Sequence, residues 1–400
     1  MVSVPRRADV RRSIHRALYV GIGAAGYVAR RVRPPHPRPV RSVLIVRVDL
    51  LGDVLFSRQA AQAVRAGYPD AHVTLLTLPY TEPLAAGFDE VDEIIAIDTN
   101  RIRTFRGLIS PATWRTYHDA YRQIRRRRFD LAISLAGRTG SLLAALSGAP
   151  RVIGYQREAF PATLTEPVPG GRYGVRRHEV EYVRGLAGAA GGVPPDRILR
   201  PVIPADAVAR AARLLASAGI RDDARVVVIH AGAVNGSAKR WPARSWAAFA
   251  DALTARGYAP VLVGSASDKA IADEVRRHSR TNVVSLAGGT DILDLLALLS
   301  RADLVASGDS GPLHLAVALA RPVVAVYGPT DPAVHGPYYP DAPASLHRAD
   351  LPCSPCYSMA ATAECPLGDP ICMRLVAVDT MVQSALQILE GNPRQAGTLR

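Results

Sequence analysis

The sequence predicts an α/β protein built from two doubly wound parallel sheets. In each half of the 400-residue chain, short apolar runs of strand length alternate with helical segments, as in βαβ units. A Pro-containing stretch at 201–204 separates the halves, and the length suits two domains. Because such sheets bind ligands at the carboxyl ends of their strands, the loops that follow strands are the candidate functional segments.

Composition divides the chain into four segments. Residues 1–41 are rich in Arg and Pro, which predicts an arm that is either disordered or held on an anionic membrane surface. Residues 42–204 and 205–374 form the two predicted Rossmann-like domains, and the second includes a Cys-rich segment at 353–372. Residues 375–392 have the periodicity of a final amphipathic helix.

The net charge of +14 predicts an anionic partner, which could be nucleic acid, anionic lipid or a small substrate. Aromatic residues are sparse and no basic recognition helix is evident, so nucleic acid is not expected. The dense Arg cluster at 121–128 suits a solvated helix end or, alternatively, a grip on an anionic acceptor. With no apolar run of bilayer length and no secretory leader, we expect a cytoplasmic protein in peripheral contact with the inner face of the membrane.

Apolar runs predict five strands in the first half, at 42–48, 72–77, 93–97, 129–135 and 151–155. Helical periodicity lies between and after them, at 54–66, 121–128, 137–146 and 179–190. The second half predicts strands at 226–230, 259–264, 283–286, 304–307 and 323–327. Its helices are expected at 206–218, 243–255, 269–278, 292–301, 312–320 and 373–389.

The loop after the first strand carries the first candidate site. Gly52 permits a tight turn, Asp53 lies where a helix begins, and Arg47 and Asp49 flank them. A single Asp at this position can be no more than a cap that favours the helix dipole. Its location at the carboxyl end of the first strand favours the alternative, a functional carboxylate.

A turn and a short helix after the strand at 304–307 form the second candidate site. The sequence Gly-Asp-Ser-Gly-Pro-Leu-His contains Asp309, Ser310, Gly311 and His314. The free N–H groups of the helix start attract a phosphate, whereas a carboxylate suits sugar hydroxyls. The plainer alternative is that Asp309 and Ser310 only cap the helix.

The loop at 230–242 joins the same predicted sheet edge. Gly232 and Ala233 are small enough to let backbone N–H groups approach phosphate oxygens, and Lys239 and Arg240 add positive charge. The next strand ends in Gly264 and Ser265, which could contact a nucleotide. The alternative for the whole segment is a mobile surface loop with solvated cations.

Four cysteines fall within one 20-residue stretch, namely Cys353, Cys356, Cys365 and Cys372. In a cytoplasmic protein this clustering favours a structural metal, zinc or an iron–sulfur centre, over disulfides. Reduced thiols or a redox pair remain open.

These motifs, taken in order, resemble those of glycosyltransferase family 9, which includes the heptosyltransferases of lipopolysaccharide core synthesis. The resemblance covers roughly residues 42–390. It implies the GT-B fold, in which two Rossmann-like domains flank a cleft, with the donor on the C-terminal domain and the acceptor on the N-terminal one. It also implies that the last helix crosses back to the N-terminal domain, and that transfer is inverting, independent of metal and uses ADP-heptose.

The resemblance also implies residue roles. Asp53 corresponds to the general base, with Arg47, Asp49 and Gly52 on the acceptor side. Lys239 corresponds to the lysine on the donor phosphates. The predicted donor-binding set is Gly232, Ala233, Lys239, Arg240, Gly264, Ser265, Asp309, Ser310, Gly311 and His314. Two features depart from the family pattern: Gly232 and Ala233 replace hydroxyl residues, and the acid expected near the ribose has no clear match, with Ser265, Ser267 and Asp268 as candidates.

The function expected from the sequence is therefore an inverting transfer of a heptose or related sugar from a nucleotide-diphosphate donor to a hydroxyl of a glycan or lipid-linked acceptor. No cofactor is expected for catalysis. The alternatives are a two-domain nucleotide-sugar epimerase and a non-catalytic scaffold at the membrane surface.

Overall fold

A computed structural model of the chain describes residues 39–101, 104–171, 176–195, 200–234, 236–338, 343–357 and 364–391. Nearly all of the predicted N-terminal arm lies outside these ranges. The chain divides into two compact units between residues 197 and 198, a few residues before the predicted boundary at 204. Each unit holds one six-stranded sheet in which every neighbouring pair is parallel.

The sheet of the N-terminal unit has the strand order β3-β2-β1-β4-β5-β6. Its strands are β1 (Ser42–Val46), β2 (His72–Thr77), β3 (Glu93–Ala96), β4 (Leu131–Ser134), β5 (Arg151–Tyr155) and β6 (Glu166–Val168). Its helices are α1 (Leu51–Gly67), α2 (Glu82–Ala85), α3 (Phe105–Ile109), α4 (Pro111–Arg126), α5 (Gly137–Leu146) and α6 (Glu179–Ala189). Single 3₁₀ turns lie at Pro79–Thr81 and Pro161–Thr163.

The sheet of the C-terminal unit has the order β12-β11-β10-β7-β8-β9. Its strands are β7 (Val226–His230), β8 (Ala259–Leu262), β9 (Val284–Ser285), β10 (Leu304–Gly308), β11 (Val323–Tyr327) and β12 (Ala344–Arg348). Its helices are α7 (Ala205–Ser217), α8 (Ala243–Thr254), α9 (Lys269–His278), α10 (Ile292–Arg301), α11 (Gly311–Ala318), α12 (Pro332–His335), α13 (Ile371–Arg374) and α14 (Val378–Gly391). Further 3₁₀ turns lie at Ser237–Lys239 and Ala266–Asp268.

Both sheets are doubly wound, as the alternation of strands and helices predicted. In the N-terminal unit the strand order reverses between β1 and β4, and in the C-terminal unit it reverses between β7 and β10. Ligands bind beside the carboxyl ends of strands at such reversals. The segments that follow these four strands contain most of the predicted site residues.

The edge strands β6 and β12 were not predicted. The β6 segment is only three residues long and contains a Pro, and the side chains of β12 alternate between exposed and half-buried. Neither segment has the apolar run that predicted the central strands. Helix α1 begins at Leu51 rather than at residue 54, so that Asp53 lies within its first turn.

The last helix, α14, packs within the C-terminal unit. Met381, Ala385 and Leu389 on its buried side belong to the same apolar core as Trp246 and Val324. The resemblance to glycosyltransferase family 9 implied that this helix crosses back to the N-terminal domain, and that expectation stays a prediction. Its apolar side is satisfied by the sheet of its own unit, with contacts to α8 and β11.

No helix in the described ranges is both long and apolar enough to cross a membrane.

The packing of α14 predicts the effect of Met381→Ala. Met381 is fully buried, so its truncation should lower the free energy of unfolding of the C-terminal unit by about 2 kcal/mol or more. Amide hydrogen exchange should accelerate in α8 and β11, and Gln383→Ala, on the exposed side of the same helix, should change neither quantity. Faster exchange confined to the N-terminal unit would contradict this packing.

Candidate functional site

The candidate site of the N-terminal unit is built around the buried guanidinium of Arg47, directly after β1. Its Nη1 donates to the carbonyl oxygen of Leu135, directly after β4, at 2.5 Å. Its Nη2 lies 2.6 Å from Oδ1 of Asp53 and 3.0 Å from Oε1 of Glu179, and its Nε lies 3.3 Å from Oδ2 of Asp49. The Arg47 guanidinium thus connects four segments: the loop after β1, the loop after β4, the start of α1 and the start of α6.

This cluster carries one positive and three negative charges. Glu179 is buried, whereas the side chains of Asp49 and Asp53 are about a quarter exposed, at 26% and 25%. Asp53 also accepts a hydrogen bond from the backbone N–H of Leu50 at 3.3 Å, so the cap that was the plainer interpretation is present as well. The cap and the ion pair together fix the carboxylate while leaving part of it open to a ligand.

Tyr80 borders the same carboxylates. Its hydroxyl donates to the carbonyl oxygen of Asp49 at 3.3 Å. Burial of the hydroxyl, together with the negative charges of Asp53 and Asp49, raises the pKa of Tyr80 to about 12. The phenol therefore stays protonated at neutral pH and can donate a hydrogen bond beside Asp53.

The candidate site of the C-terminal unit is built around Asp309, directly after β10. Nζ of Lys239 lies 3.2 Å from Oδ2 of this carboxylate and donates to its backbone carbonyl oxygen at 3.3 Å. Nε2 of His314 lies 3.6 Å from Oδ1. Burial alone would raise the pKa of Asp309, but the charge of Lys239 and the imidazoles of His314 and His335 outweigh it and hold that pKa well below its usual range.

Lys239 also packs against an aromatic ring. Its Nζ lies 5.3 Å from the ring centroid of Tyr357, within the range of a cation–π contact. The Tyr357 ring meets His335 edge to face at 6.1 Å, and its backbone N–H donates to the carbonyl oxygen of Pro329. The ammonium group is therefore positioned by two other segments of the unit, one at Asp309 and one at Tyr357.

The start of α11 is not capped by Ser310. The Ser310 hydroxyl pairs with that of Ser307 at 2.7 Å, and Ser307 in turn approaches Nδ1 of His230 at 3.4 Å. With Asp309 held by Lys239, neither residue acts as the simple cap that was the plainer alternative. The first N–H groups of α11 thus point from the carboxyl edge of the sheet with no bond to the Ser310 side chain.

Asp268 turns inward rather than toward a ligand. Its Oδ2 accepts from the backbone N–H and the hydroxyl of Ser265, at 2.9 and 2.7 Å, and lies 3.7 Å from Nε2 of His230. A Cβ at Gly232 would collide with its carboxylate, and one at Gly264 would lie 2.7 Å from its Cβ. These two glycines therefore have a packing reason to be small, independent of any phosphate.

The remaining predicted residues lie at the same two edges. Gly52 is buried in the first turn of α1, and Ala233 is buried in the loop after β7. Arg240 is half-buried, and its Nε has no hydrogen-bond partner among the described residues. The same holds for the buried hydroxyl of Thr330, just beyond β11. Orphaned buried polar atoms are uncommon in folded proteins and are often satisfied by a ligand or water.

The four cysteines are neighbours without a completed metal site. Burial and the nearby cysteines raise the pKa values of Cys356 and Cys372, and the charges that act on Cys372 include all three other thiols. Within the described ranges, no three His, Cys, Asp or Glu side chains are close enough to share one ion. Cys353 and Cys356 are exposed, and Cys372 is buried.

Sequence reasoning missed Glu179, Tyr80, Tyr357 and His335 as site residues. Glu179 was assigned only to the start of a helix, and its partner lies 132 positions earlier in the chain. A buried acid at a helix start indicates that a cation lies nearby, but an Arg-rich sequence does not reveal which one.

Comparisons with known proteins find similar chains in one family. The family model described as glycosyltransferase family 9 (heptosyltransferase) matches residues 117–366. Lipooligosaccharide heptosyltransferase 2 of Haemophilus influenzae is 26% identical over 73% of this chain and 84% of its own length, and lipopolysaccharide heptosyltransferase 2 of Escherichia coli is 26% identical over 72% and 83%.

Two solved structures share the fold. A family 9 glycosyl transferase from Veillonella parvula superposes with a TM-score of 0.71 at 20% identity, covering 88% of this chain and 97% of its own. The E. coli ADP-heptose lps heptosyltransferase II superposes with a TM-score of 0.68 at 21% identity, covering 88% and 99%. The two sheets thus have the GT-B architecture.

The ion pair between Lys239 and Asp309 predicts a destabilised Lys239→Met variant. Removing the lysine leaves a buried carboxylate poorly compensated, which should lower the free energy of unfolding at pH 7 by roughly 3 kcal/mol. Urea unfolding can be followed by Trp241 and Trp246, both buried in this unit. Lys269→Met, at an exposed lysine, is the matched control.

The destabilisation caused by Lys239→Met should depend on pH. A lowered pKa means that the pair stabilises the wild-type fold above the unfolded pKa of Asp, about 3.9, and that this stability is lost only in stronger acid. In Lys239→Met the pKa of Asp309 should rise, so the carboxylate takes up a proton between pH 7 and pH 4. The stability difference from wild type should therefore shrink as the pH falls, and a difference that is constant over this range would contradict the pairing.

Proposed function

Because this chain belongs to glycosyltransferase family 9, we propose that it transfers a heptose from ADP-heptose to a hydroxyl of a lipopolysaccharide-type acceptor, with inversion at the anomeric carbon. The observation that carries the proposal is the Lys239–Asp309 pair beside the start of α11. Relatives named as heptosyltransferases support the choice of sugar and acceptor. The solved neighbour named for ADP-heptose supports the nucleotide.

The donor diphosphate fits the positive groups at this edge. An ammonium group has three N–H donors, and Lys239 gives two of them to Asp309, which leaves one for a phosphate oxygen. Arg240 and the first N–H groups of α11 add donors that favour an anion. These groups stabilise the charge that develops as the bond from the anomeric carbon to the diphosphate breaks, so no divalent metal is needed for that step.

Asp309 suits the sugar rather than the phosphates. A carboxylate accepts hydrogen bonds from sugar hydroxyls but repels phosphate oxygens. Lys239 on one side and His314 on the other keep it ionised and hold it in place. Its negative charge also stabilises the positive character of the sugar ring in the transition state.

Asp53 is the proposed general base. The acceptor hydroxyl gives its proton to the carboxylate, its oxygen forms the new glycosidic bond, and the nucleoside diphosphate leaves with the electrons of the old bond. Arg47 orients the Asp53 carboxylate. Because the guanidinium also pairs with Asp49 and Glu179, its positive charge is shared among three carboxylates. Tyr80, protonated at neutral pH, is available to hold the acceptor.

The proposal predicts that Asp53→Asn lowers kcat by about 10²- to 10⁴-fold, because the amide cannot accept the proton. Asp49→Asn is the matched control, since Asp49 is equally exposed and binds the same guanidinium. Turnover should be measured with ADP-heptose and a heptose-deficient lipopolysaccharide acceptor by mass spectrometry. Conversion of the donor in the absence of acceptor would instead indicate an epimerase.

A measurement of donor binding distinguishes the loss of the general base from the loss of a donor-binding group. The chain contains only two lysines, Lys239 and Lys269, so protein labelled with ¹³C-lysine gives two side-chain NMR signals. ADP should shift the Lys239 signal and leave the Lys269 signal in place, in wild type and in Asp53→Asn alike. Equal losses of kcat in Asp49→Asn and Asp53→Asn would assign the defect to the Arg47 cluster, and loss of ADP binding in Asp53→Asn would remove Asp53 from the base role.

Although no three of the cysteines, all within the described ranges, are close enough to share an ion in this structure, we further propose that the four close around one structural zinc ion or iron centre when it binds, which would supply a cross-link between the chain on either side of residues 358–363. The other thiols contribute to the raised pKa values of Cys356 and Cys372, and this proximity supports the proposal. The purified full chain should contain about one equivalent of metal by elemental analysis, lost in Cys353→Ser/Cys356→Ser. Four thiols that react freely with a disulfide reagent in metal-free, fully stable protein would contradict the site.

A further inference from the structure

Helix α4 has a large exposed side that takes no part in the Arg47 cluster of its own unit. Its buried side, formed by Thr113, Ala120 and Ile124, packs on the N-terminal core, and nearly all of its other side chains are exposed. The composition of this exposed side differs from that of an ordinary solvated helix.

Aromatic and basic residues share one continuous arc of this helix. At about 100° per residue, the arc spans roughly 140°. In order around the helix it consists of Tyr121, Trp114, Arg125, His118, Pro111, Arg122, Arg115 and Arg126. No carboxylate falls within it, and Asp119, the helix's one acid, lies at its margin. A face exposed only for solubility would interleave both signs of charge.

Arg125 lies against Gly148, but the other three arginines of the arc have no acidic partner among the described residues. Among the described residues, no carboxylate lies within salt-bridge distance of Arg115, Arg122 or Arg126, whereas Arg127, just beyond the helix, pairs with Glu93. Their charge is therefore available to a partner.

The exposed aromatic residues of the arc suit the interface of a lipid bilayer. The side chain of Trp114 is 48% exposed and that of Tyr121 is 41% exposed, and Ile109, two residues before the helix, is 62% exposed. Trp and Tyr rings lie at the level of lipid headgroups, and Arg guanidinium groups bind the phosphates there. An amphipathic helix with this division of residues lies in the plane of an anionic membrane.

The helix is oriented so that its Trp114 end lies at the functional edge of the sheet. Tyr117 donates its hydroxyl hydrogen to the carbonyl oxygen of Asp98, just beyond the carboxyl end of β3. The carboxyl end of β1, with Arg47 and Asp53, belongs to the same edge because the strands are parallel. We propose that the exposed face of α4 docks on an anionic lipid bilayer and holds this edge beside the membrane surface.

Vesicle flotation with the full chain tests the proposal. The protein should float with phosphatidylcholine vesicles that contain 30% phosphatidylglycerol and not with phosphatidylcholine alone, and 0.5 M NaCl should release it. Arg115→Gln/Arg122→Gln/Arg126→Gln should weaken binding roughly 100-fold. The control Arg213→Gln/Arg244→Gln/Arg277→Gln removes the same charge from exposed positions of other helices and should retain binding within a few-fold.

Fluorescence reports the depth of the helix. The chain has three tryptophans, of which Trp241 and Trp246 are 1% exposed and Trp114 is the exposed one. Brominated lipid should quench the wild-type emission on binding. Trp114→Phe, which keeps an aromatic ring, should still bind while losing the quenching.

Three outcomes would overturn the proposal. Equal weakening in both arginine triples would reduce the effect to net charge, and undiminished flotation of the α4 triple would assign membrane binding to another segment, such as residues 1–41. Binding of wild type to single-stranded RNA, but not to the anionic vesicles, would assign the face to nucleic acid. Matching unfolding temperatures of the two triples exclude a folding defect, since all six positions are exposed.

Discussion

Both units depend on one constraint: a charge buried at the carboxyl edge of a parallel sheet must be paired. Arg47 gathers three carboxylates and a carbonyl oxygen, and Asp309 gathers a lysine and an imidazole. Parallel strands bring the following loops to one edge, and the buried ion then fixes the distances between them. Loss of one partner leaves an uncompensated charge, so the geometry of each site is coupled to the stability of its unit.

The two sites have opposite electrostatic character. The Arg47 cluster has more negative than positive charge and keeps two carboxylates partly open, which suits a site that accepts a proton from a hydroxyl. The edge beside Lys239 combines a compensated carboxylate with the positive start of a helix, which suits a sugar bound to a diphosphate. The chemistry proposed for the enzyme is divided between the units in the same way.

The central strands were predictable because a buried parallel strand is a continuous apolar run, and Val226–His230 and Val323–Tyr327 were predicted to the residue. The loops that follow such strands were therefore also predictable as sites. Pairings across the sheet were not: the bond between Arg47 and Glu179 joins segments far apart in the chain, and local pattern carries no information about it. The partner of the last helix was not predictable for a similar reason, since periodicity gives an apolar face but not what packs on it.

The pairing of Lys239 with Asp309 has a consequence for the end of the catalytic cycle. In the proposed mechanism, a complete donor accepts the third N–H of the lysine through its phosphates and donates to the carboxylate through its sugar hydroxyls. Once the sugar has left, the nucleotide keeps only its bond to the lysine, and the carboxylate has lost the hydrogen bonds of the sugar. A buried carboxylate with fewer hydrogen bonds then opposes retention of the spent nucleotide. The same pair that receives the substrate would thus promote product release.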